Sequence, residues 1–293
     1  MEFCHIVPKK FVNLVNGYNR HLVLAHLIES DPEYVNLYKT IVNQTGATLI
    51  MDNSAYEMYK QGRPMFESDK LIELANKVGA DYIVLSDYPK QDWMVTRDKA
   101  IEMIPEIKGH GFNTFYVPQS ELGDIDGWCE SVRWALNNKN IDLIGMSILG
   151  CPIAMGIEEG TYGNDLSGMI RLQRFLARYR CYCELEKRGI IDFDNPRCIR
   201  RFHNLGMQDG PGEIELMSRY HKMIASWDTS SGCWHAINHV LYDHSPTMLK
   251  NGKINSEVDF DWNETITSRL VQDIKYNFSV IDDLVENLNL LED

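Results

Sequence analysis

The chain contains no uninterrupted run of about 18 apolar residues, the length a helix needs to cross a bilayer, so no transmembrane segment is expected. Its opening residues, Met1 to Lys10, hold no basic stretch leading into an apolar one, which predicts no secretory leader and a cytoplasmic protein. Cysteine is scarce and odd in number, 7 residues scattered at 4, 129, 151, 181, 183, 198 and 233, which argues against a disulfide framework. With 20 Gly and 10 Pro in 293 residues, collagen-like and low-complexity architectures are excluded. No G-x-G-x-x-G turn follows an early strand, which removes the main signal of a dinucleotide-binding open sheet. Positive charge is in deficit: 29 Lys and Arg face 42 Asp and Glu, a net −13. That excludes a polycation that coats nucleic acid indiscriminately and leaves a local basic patch possible only against an acidic background. No linker-like tract or short repeat marks a boundary.

What is present is a hydrophobic fraction of 44% arranged in eight short apolar runs. They lie at 3–7, 21–26, 47–51, 82–86, 114–117, 143–148, 201–205 and 223–227. Helical patterns separate them near 32–44, 67–78, 95–108, 121–137, 165–188 and 212–222, with only a short connection near 10–18. Strands alternating with helices predict a parallel sheet, and eight of them predict a (β/α)8 TIM barrel. A length near 300 residues fits one such barrel domain over 1–293 better than two smaller domains. Over 264–293, Ile266, Leu270, Ile274, Phe278, Ile281, Val285 and Leu288 recur at three- and four-residue spacing. This is one apolar face of a C-terminal amphipathic helix, expected to pack on the barrel wall, with a homodimer contact as the alternative.

In such a barrel the working side chains sit where the strands end. The third run ends in Asp52-Asn53-Ser54-Ala55-Tyr56, the fourth in Ser86-Asp87, the fifth in Pro118-Gln119 and the eighth in Trp227-Asp228. A single Asp after a strand is ordinarily a helix cap or loop residue. Three at strand ends, joined by an amide and an aromatic, predict a rim of convergent carboxylates in which at least one pKa is raised. One carboxylate can then attack a glycosidic carbon while another carries a proton. His26 and His203, also at strand ends, are read as rim residues that contact sugar or phosphate.

These residues resemble the tRNA-guanine transglycosylase superfamily, most closely its DNA-modifying branch, the DNA-guanine transglycosylases of phages and bacterial modification islands. The resemblance spans about 44 to 231. Leu49 to Tyr56 is similar to the segment carrying an acid/base Asp and, four residues on, a stacking aromatic; Leu85-Ser86-Asp87 and Val117-Pro118-Gln119 look like the base-reading strands. Ile144-Gly145-Met146-Ser147-Ile148 is similar to the Gly-containing strand that faces the base, and His203-Asn204-Leu205-Gly206-Met207 through Ala225-Ser226-Trp227-Asp228 to the stretch ending in the nucleophile. Two departures stand out. The family's Asp-Ser-Gly-Gly turn is Asp-Asn-Ser-Ala here, and the Cys-x-Cys-x-x-Cys plus His zinc site of the tRNA enzymes has no counterpart after Asp228, where Cys233 is the one cysteine.

The resemblance implies exchange of guanine in DNA for a 7-deazaguanine such as a preQ0-like base, with tRNA as the alternative substrate. Asp228 would be the nucleophile and Asp52 the general acid and base. Asp87, Gln119, Gly145 and Ser147 would read the base, with Tyr56 and Met207 on its two faces. No cofactor is implied. Zinc at Cys233, His235, His239 and His244 is the lesser reading, since C-x-H-x3-H-x4-H only partly matches known ligand spacings and Trp234 and Ile237 mark packing. Between 171 and 201 nine basic residues face four acidic ones, a local +5 that leaves −18 elsewhere. Arg171, Arg174 and Arg178 at helical spacing, with Arg200 and Arg201, are expected to track phosphates; a solvated helix face is the plainer alternative. Two other readings remain open: a retaining glycoside hydrolase, and a noncatalytic transglycosylase-like subunit that binds nucleic acid.

Overall fold

A computed structural model of the protein describes residues 1–157, 167–207, 210–242 and 258–291. Its eight strands are β1 (Glu2–His5), β2 (Arg20–Leu24), β3 (Thr48–Asp52), β4 (Tyr82–Val84), β5 (Asn113–Tyr116), β6 (Leu143–Ser147), β7 (Phe202–Leu205) and β8 (Ile224–Thr229). All pair in parallel, in the order β1-β8-β7-β6-β5-β4-β3-β2. The two ends of that order, β1 and β2, lie side by side, so the sheet rolls into a nearly closed (β/α)8 TIM barrel.

Eleven α-helices are described: α1 (Ala25–Ser30), α2 (Pro32–Thr45), α3 (Ala55–Gln61), α4 (Ser68–Val78), α5 (Trp93–Gly109), α6 (Ile125–Asn137), α7 (Gly150–Ala154), α8 (Ser167–Lys187), α9 (Gly212–Leu216), α10 (Ser231–Ile237) and α11 (Ser268–Leu290). Local chemistry sets their ends. Asp31 caps α2 by accepting from the backbone N–H groups of Glu33 and Tyr34, Pro32 opens its first turn, and Gly46 closes it at φ 69°. Among the described residues no helix is long and apolar enough to cross a membrane.

Strand periodicity divides the apolar side chains into two layers. Leu22, Ile50, Val84, Phe115 and Leu143 fill the barrel interior, whereas their neighbours Val23, Leu49, Met51, Ile83, Tyr116 and Ile144 face the surrounding helices. The same alternation carries Asp52, two residues after Ile50, toward the mouth, and Gln119, four after Phe115.

The C-terminal helix α11 follows the last strand, β8, after α10. It packs on α10, α9 and β1, burying Ile274, Phe278, Ile281, Val285 and Leu288 within the chain; of the expected face, Ile266 precedes the helix and is exposed, and Leu270 is half-buried. Its seam with β1 is also polar. The buried His5 ring stacks on Phe278 at 4.0 Å between centroids and meets Asp282 at 2.9 Å, while Tyr18 donates to the second oxygen of Asp282 at 2.6 Å.

Candidate active site

The turn after β3 is held by its own side chains. Asp52 Oδ1 accepts from the Ser54 N–H at 2.7 Å, and Asn53 Oδ1 accepts from Ala55 N–H at 2.8 Å. Ser54 is fully buried at φ 58°, a left-handed conformation that glycine adopts most easily. Its hydroxyl compensates by meeting His26 at Nδ1 (2.9 Å) and accepting from the His26 backbone N–H (3.2 Å). His26 is thereby a brace of this turn. Asp52 is left half-buried at the mouth, its pKa raised well above the ordinary carboxylate range by burial, then by the charge of Glu57, with Asp87 and Asp228 adding to it. Glu57, in the first turn of α3, is itself pushed up by burial.

Asp87 ties three strand ends together. Its Oδ1 accepts from Asn53 Nδ2 at 2.6 Å and its Oδ2 from Gln119 Nε2 at 2.5 Å, while Asn53 also donates to Leu85 O at 2.6 Å. Burial raises the Asp87 pKa to about 6, against the opposing pull of the two amides. Gln119 therefore spends an amide N–H on Asp87, and its Oε1 is buried with no hydrogen-bond partner.

Across the mouth, Asp228 is buried at the end of β8. Its Oδ1 accepts from His203 Nε2 at 2.9 Å and from the Gly206 backbone N–H at 3.2 Å. His203 is completely buried inside the barrel, its other nitrogen 2.7 Å from Ser226 Oγ, and burial lowers its pKa. It supports Asp228 from below and cannot also contact a sugar or phosphate, which corrects the rim role expected of it.

Of the two expected stacking residues, Tyr56 is open, 39% exposed on α3 with the Lys60 ammonium 4.9 Å from its ring centroid. Met207 is buried in the apolar layer outside the strands, so it does not offer the second face. Gly145 has a packing role as well. A Cβ there would lie 2.8 Å from Leu205 and Phe115 carbons and 2.9 Å from Val117, so the absence of a side chain makes room for barrel packing. Ser147, two residues further along β6, is half-buried at the mouth, where its hydroxyl accepts from the N–H groups of Leu149 (3.1 Å) and Gly150 (3.3 Å).

The basic segment does not form one track. Arg178 is 2% exposed; it forms an ion pair with Glu213 at 3.1 Å, donates to Leu205 O (2.7 Å) and Gly206 O (3.0 Å), and lies over the Trp227 ring. Arg200 donates to Ile224 O and Arg201 to Ile141 O, both near the starts of their strands and hence at the opposite end of the barrel. These three are structural in this fold. Arg171 and Arg174 precede Arg178 on α8 by about two turns and one turn, at roughly 1.5 Å per residue, and so project beyond the strand ends. Both are half-buried, Arg174 has no ion-pair partner among the described residues, and Arg171 lies near enough to His235 to depress its pKa.

The cysteine and histidine set after Asp228 is dispersed. Cys233 is buried, His235 packs edge-on against Tyr242 with burial lowering its pKa to about 4, and His239 is exposed at φ 60°. His244 lies outside the described residues. Among the described residues no group of three or more His, Cys, Asp or Glu is placed to hold a metal. Sequence reasoning did not single out Asn53, Glu57, Arg20 or Ser226. The first two follow Asp52 within five residues and Ser226 shares the inward parity of Asp228, but Arg20 carries no local signal at all.

No family model matches the chain, and no curated protein does. Solved structures with some likeness include a methylornithine synthase (14% identity, TM-score 0.41, 76% of this chain and 60% of that one). Others are an HpcH/HpaI aldolase from Desulfitobacterium hafniense DCB-2 (9%, 0.46, 81% and 88%) and a chitinase domain from Pyrococcus furiosus (8%, 0.45, 95% and 95%). Identities this low, with TM-scores under 0.5, carry nothing about chemistry.

Proposed function

We propose that the protein is a base-exchange transglycosylase that replaces guanine in DNA by a 7-deazaguanine through a covalent Asp228 intermediate. The observation that carries this reading is the unequal treatment of two carboxylates at one mouth. Asp52 is pushed toward its protonated form by burial and neighbouring carboxylates, whereas Asp228 Oδ1 is held by two N–H donors. A carboxyl kept toward its protonated form beside a second one held in place by N–H donors suits the roles of acid and nucleophile.

In the proposed reaction Asp228 Oδ2 attacks C1′, the C1′–N9 bond breaks, and the proton of Asp52 goes to the departing guanine. The incoming base then gives its N9 proton to Asp52, N9 attacks C1′, and Asp228 leaves as a carboxylate. Asp87 suits the N1–H and exocyclic amine of a guanine-like ring, because each of its oxygens keeps a lone pair beyond the amide it already holds. Tyr56 supplies an exposed aromatic face four residues from Asp52. A target base must be flipped or single-stranded to reach a barrel mouth. Arg174, which holds no ion-pair partner among the described residues, is the cation of the expected track best placed to meet its phosphates, and the missing family zinc motif favours DNA over tRNA.

The test is incubation with DNA and with tRNA, each carrying labelled guanine, plus candidate 7-deazaguanines. Release of label from DNA that depends on added base, abolished in Asp228→Asn, is expected. Exchange confined to tRNA would overturn the substrate, and tight DNA binding with no exchange under any condition would overturn catalysis.

A further inference from the structure

A line of polar side chains runs through the barrel interior beneath Asp228. Glu2 Oε2 meets Arg20 Nη2 at 2.7 Å, Arg20 Nη1 donates to Ser226 Oγ at 3.2 Å, Ser226 Oγ lies 2.7 Å from His203 Nδ1, and His203 Nε2 lies 2.9 Å from Asp228 Oδ1. Ser226 and His203 are fully buried, so protein groups must satisfy them. Phe115 packs edge-on against the imidazole at 5.2 Å between centroids, restricting its rotation.

Donor and acceptor chemistry gives this line one direction. A guanidinium only donates, so Ser226 Oγ accepts from Arg20 and its single hydroxyl proton is free to go to His203 Nδ1. His203 then carries its proton on Nε2 and donates it to Asp228. In the opposite tautomer a bare Nε2 would face a carboxylate oxygen at 2.9 Å, and the Ser226 hydroxyl proton would lose its acceptor. A doubly protonated ring would strand the same hydroxyl proton, in surroundings that already oppose a buried charge.

We propose that Arg20 and Ser226 are positioning residues that hold His203 as the Nε2–H tautomer and, through it, fix Asp228 with Oδ1 occupied and Oδ2 turned to the mouth. Oδ1 has two donors, His203 Nε2–H and Gly206 N–H, and Oδ2 has none among the described residues yet is not sealed from solvent. In the proposed transglycosylase reaction Oδ2 forms the bond to C1′, and Oδ1 becomes the ester carbonyl oxygen with its two donors already in place. The same donors stabilise the carboxylate when it leaves. The consequence for Asp228 as nucleophile rests on the reading above; the tautomer does not.

Two measurements separate them. Long-range nitrogen–proton NMR on uniformly nitrogen-labelled protein, with His203 assigned from the spectrum of His203→Gln, reads which ring nitrogen is protonated. The wild type and Ser226→Thr, which keeps the hydroxyl, are expected to show Nε2–H across pH 6 to 8, and Ser226→Ala a mixed or reversed tautomer. Quenched single-turnover assays on a guanine-containing oligonucleotide read the covalent adduct. Ser226→Ala is expected to form it roughly 10- to 100-fold more slowly, as when the partner that orients a working histidine is removed, and Ser226→Thr to recover the rate. A wild-type ring protonated on Nδ1, or a Ser226→Ala protein with unchanged tautomer and adduct rate, would overturn the inference. If the wild type forms no adduct with any nucleic acid, the transglycosylase reading fails and the spectra alone decide the tautomer.

Discussion

Arg178 offers the sharpest contrast between reading charge along the chain and reading it in the fold. As a phosphate contact it would be replaceable without loss of stability. As the structure has it, the guanidinium is buried against Glu213, two carbonyls at the end of β7 and the Trp227 ring. Arg178→Met keeps much of the stem and removes the charge, taking the Arg178 guanidinium from Glu213 and the side-chain donor from Leu205 O. Breaking a buried pair from one side costs about 3–5 kcal/mol. The low end, about 3 kcal/mol, applies here because Nη1 reaches Glu213 at ion-pair distance but without hydrogen-bond alignment, and Gly206 O keeps the Trp227 indole as a donor. Against a typical total of about 5–15 kcal/mol, that loss is large and measurable by urea unfolding followed by circular dichroism. The double variant Arg178→Met/Glu213→Leu should recover most of it, because both charges leave together. An Arg178→Met protein with the wild-type urea midpoint and weakened DNA binding would refute this reasoning and return Arg178 to the surface.

Asp87 makes stability depend on pH with a definite sign. Its folded pKa is about 6 against an ordinary 3.8, so the protonated form is favoured by folding and stability falls as pH rises from about 4 to about 6, by up to about 3 kcal/mol. Asp87→Asn should flatten that slope in urea midpoints taken from pH 4 to 7; an unchanged slope would show that the carboxyl is not held this way. Gly145→Ala should cost about 1–3 kcal/mol by overpacking Leu205, Phe115 and Val117, read as a lowered unfolding temperature. Full stability there would instead mean that the position opens on a pocket.

Each strand could be placed to within a residue or two because its run is buried on both faces and is therefore predominantly apolar, with buried polar residues such as His203 and Ser226 as exceptions. The run at 21–26 overshot because α1 begins directly at Ala25, with no polar break for the eye to stop on. α1, α3, α7 and α10 went unseen for a shared reason. Each is five to seven residues long and follows a strand, too short to display a full apolar period. The terminal periodicity was legible as a face, but nothing local to it says that the partner is β1, more than 250 residues earlier; that follows from barrel closure. Site residues divide in the same way. The candidates Asp52, Asp87, Gln119 and Asp228 come from strand ends alone, whereas the proposed direction of Asp228 depends on Arg20, Ser226 and His203 from three different strands.

The charge arithmetic fails at one identifiable step, and the failure is measurable. Summing cations over 171–201 assumes that neighbours in sequence share a surface. On α8 the helical period turns Arg178 inward, and the chain then crosses the full height of the barrel, so Arg200 and Arg201 emerge at the far end from Asp228. Five arginines on one phosphate track would contribute about −3.5 to −4.5 to the slope of log affinity against log salt, whereas the two at the mouth end, Arg171 and Arg174, would contribute at most about −1.4 to −1.8. Arg174→Ala should therefore weaken binding of single-stranded DNA and reduce the magnitude of that slope by about 0.7, with the urea midpoint unchanged, since it holds no carboxylate among the described residues. Arg200→Ala and Arg201→Ala should leave the slope alone. A slope that falls by the same amount in all three variants would mean that DNA wraps from one end of the barrel to the other, and that an acidic protein of net −13 carries a far larger anion-binding surface than its mouth provides.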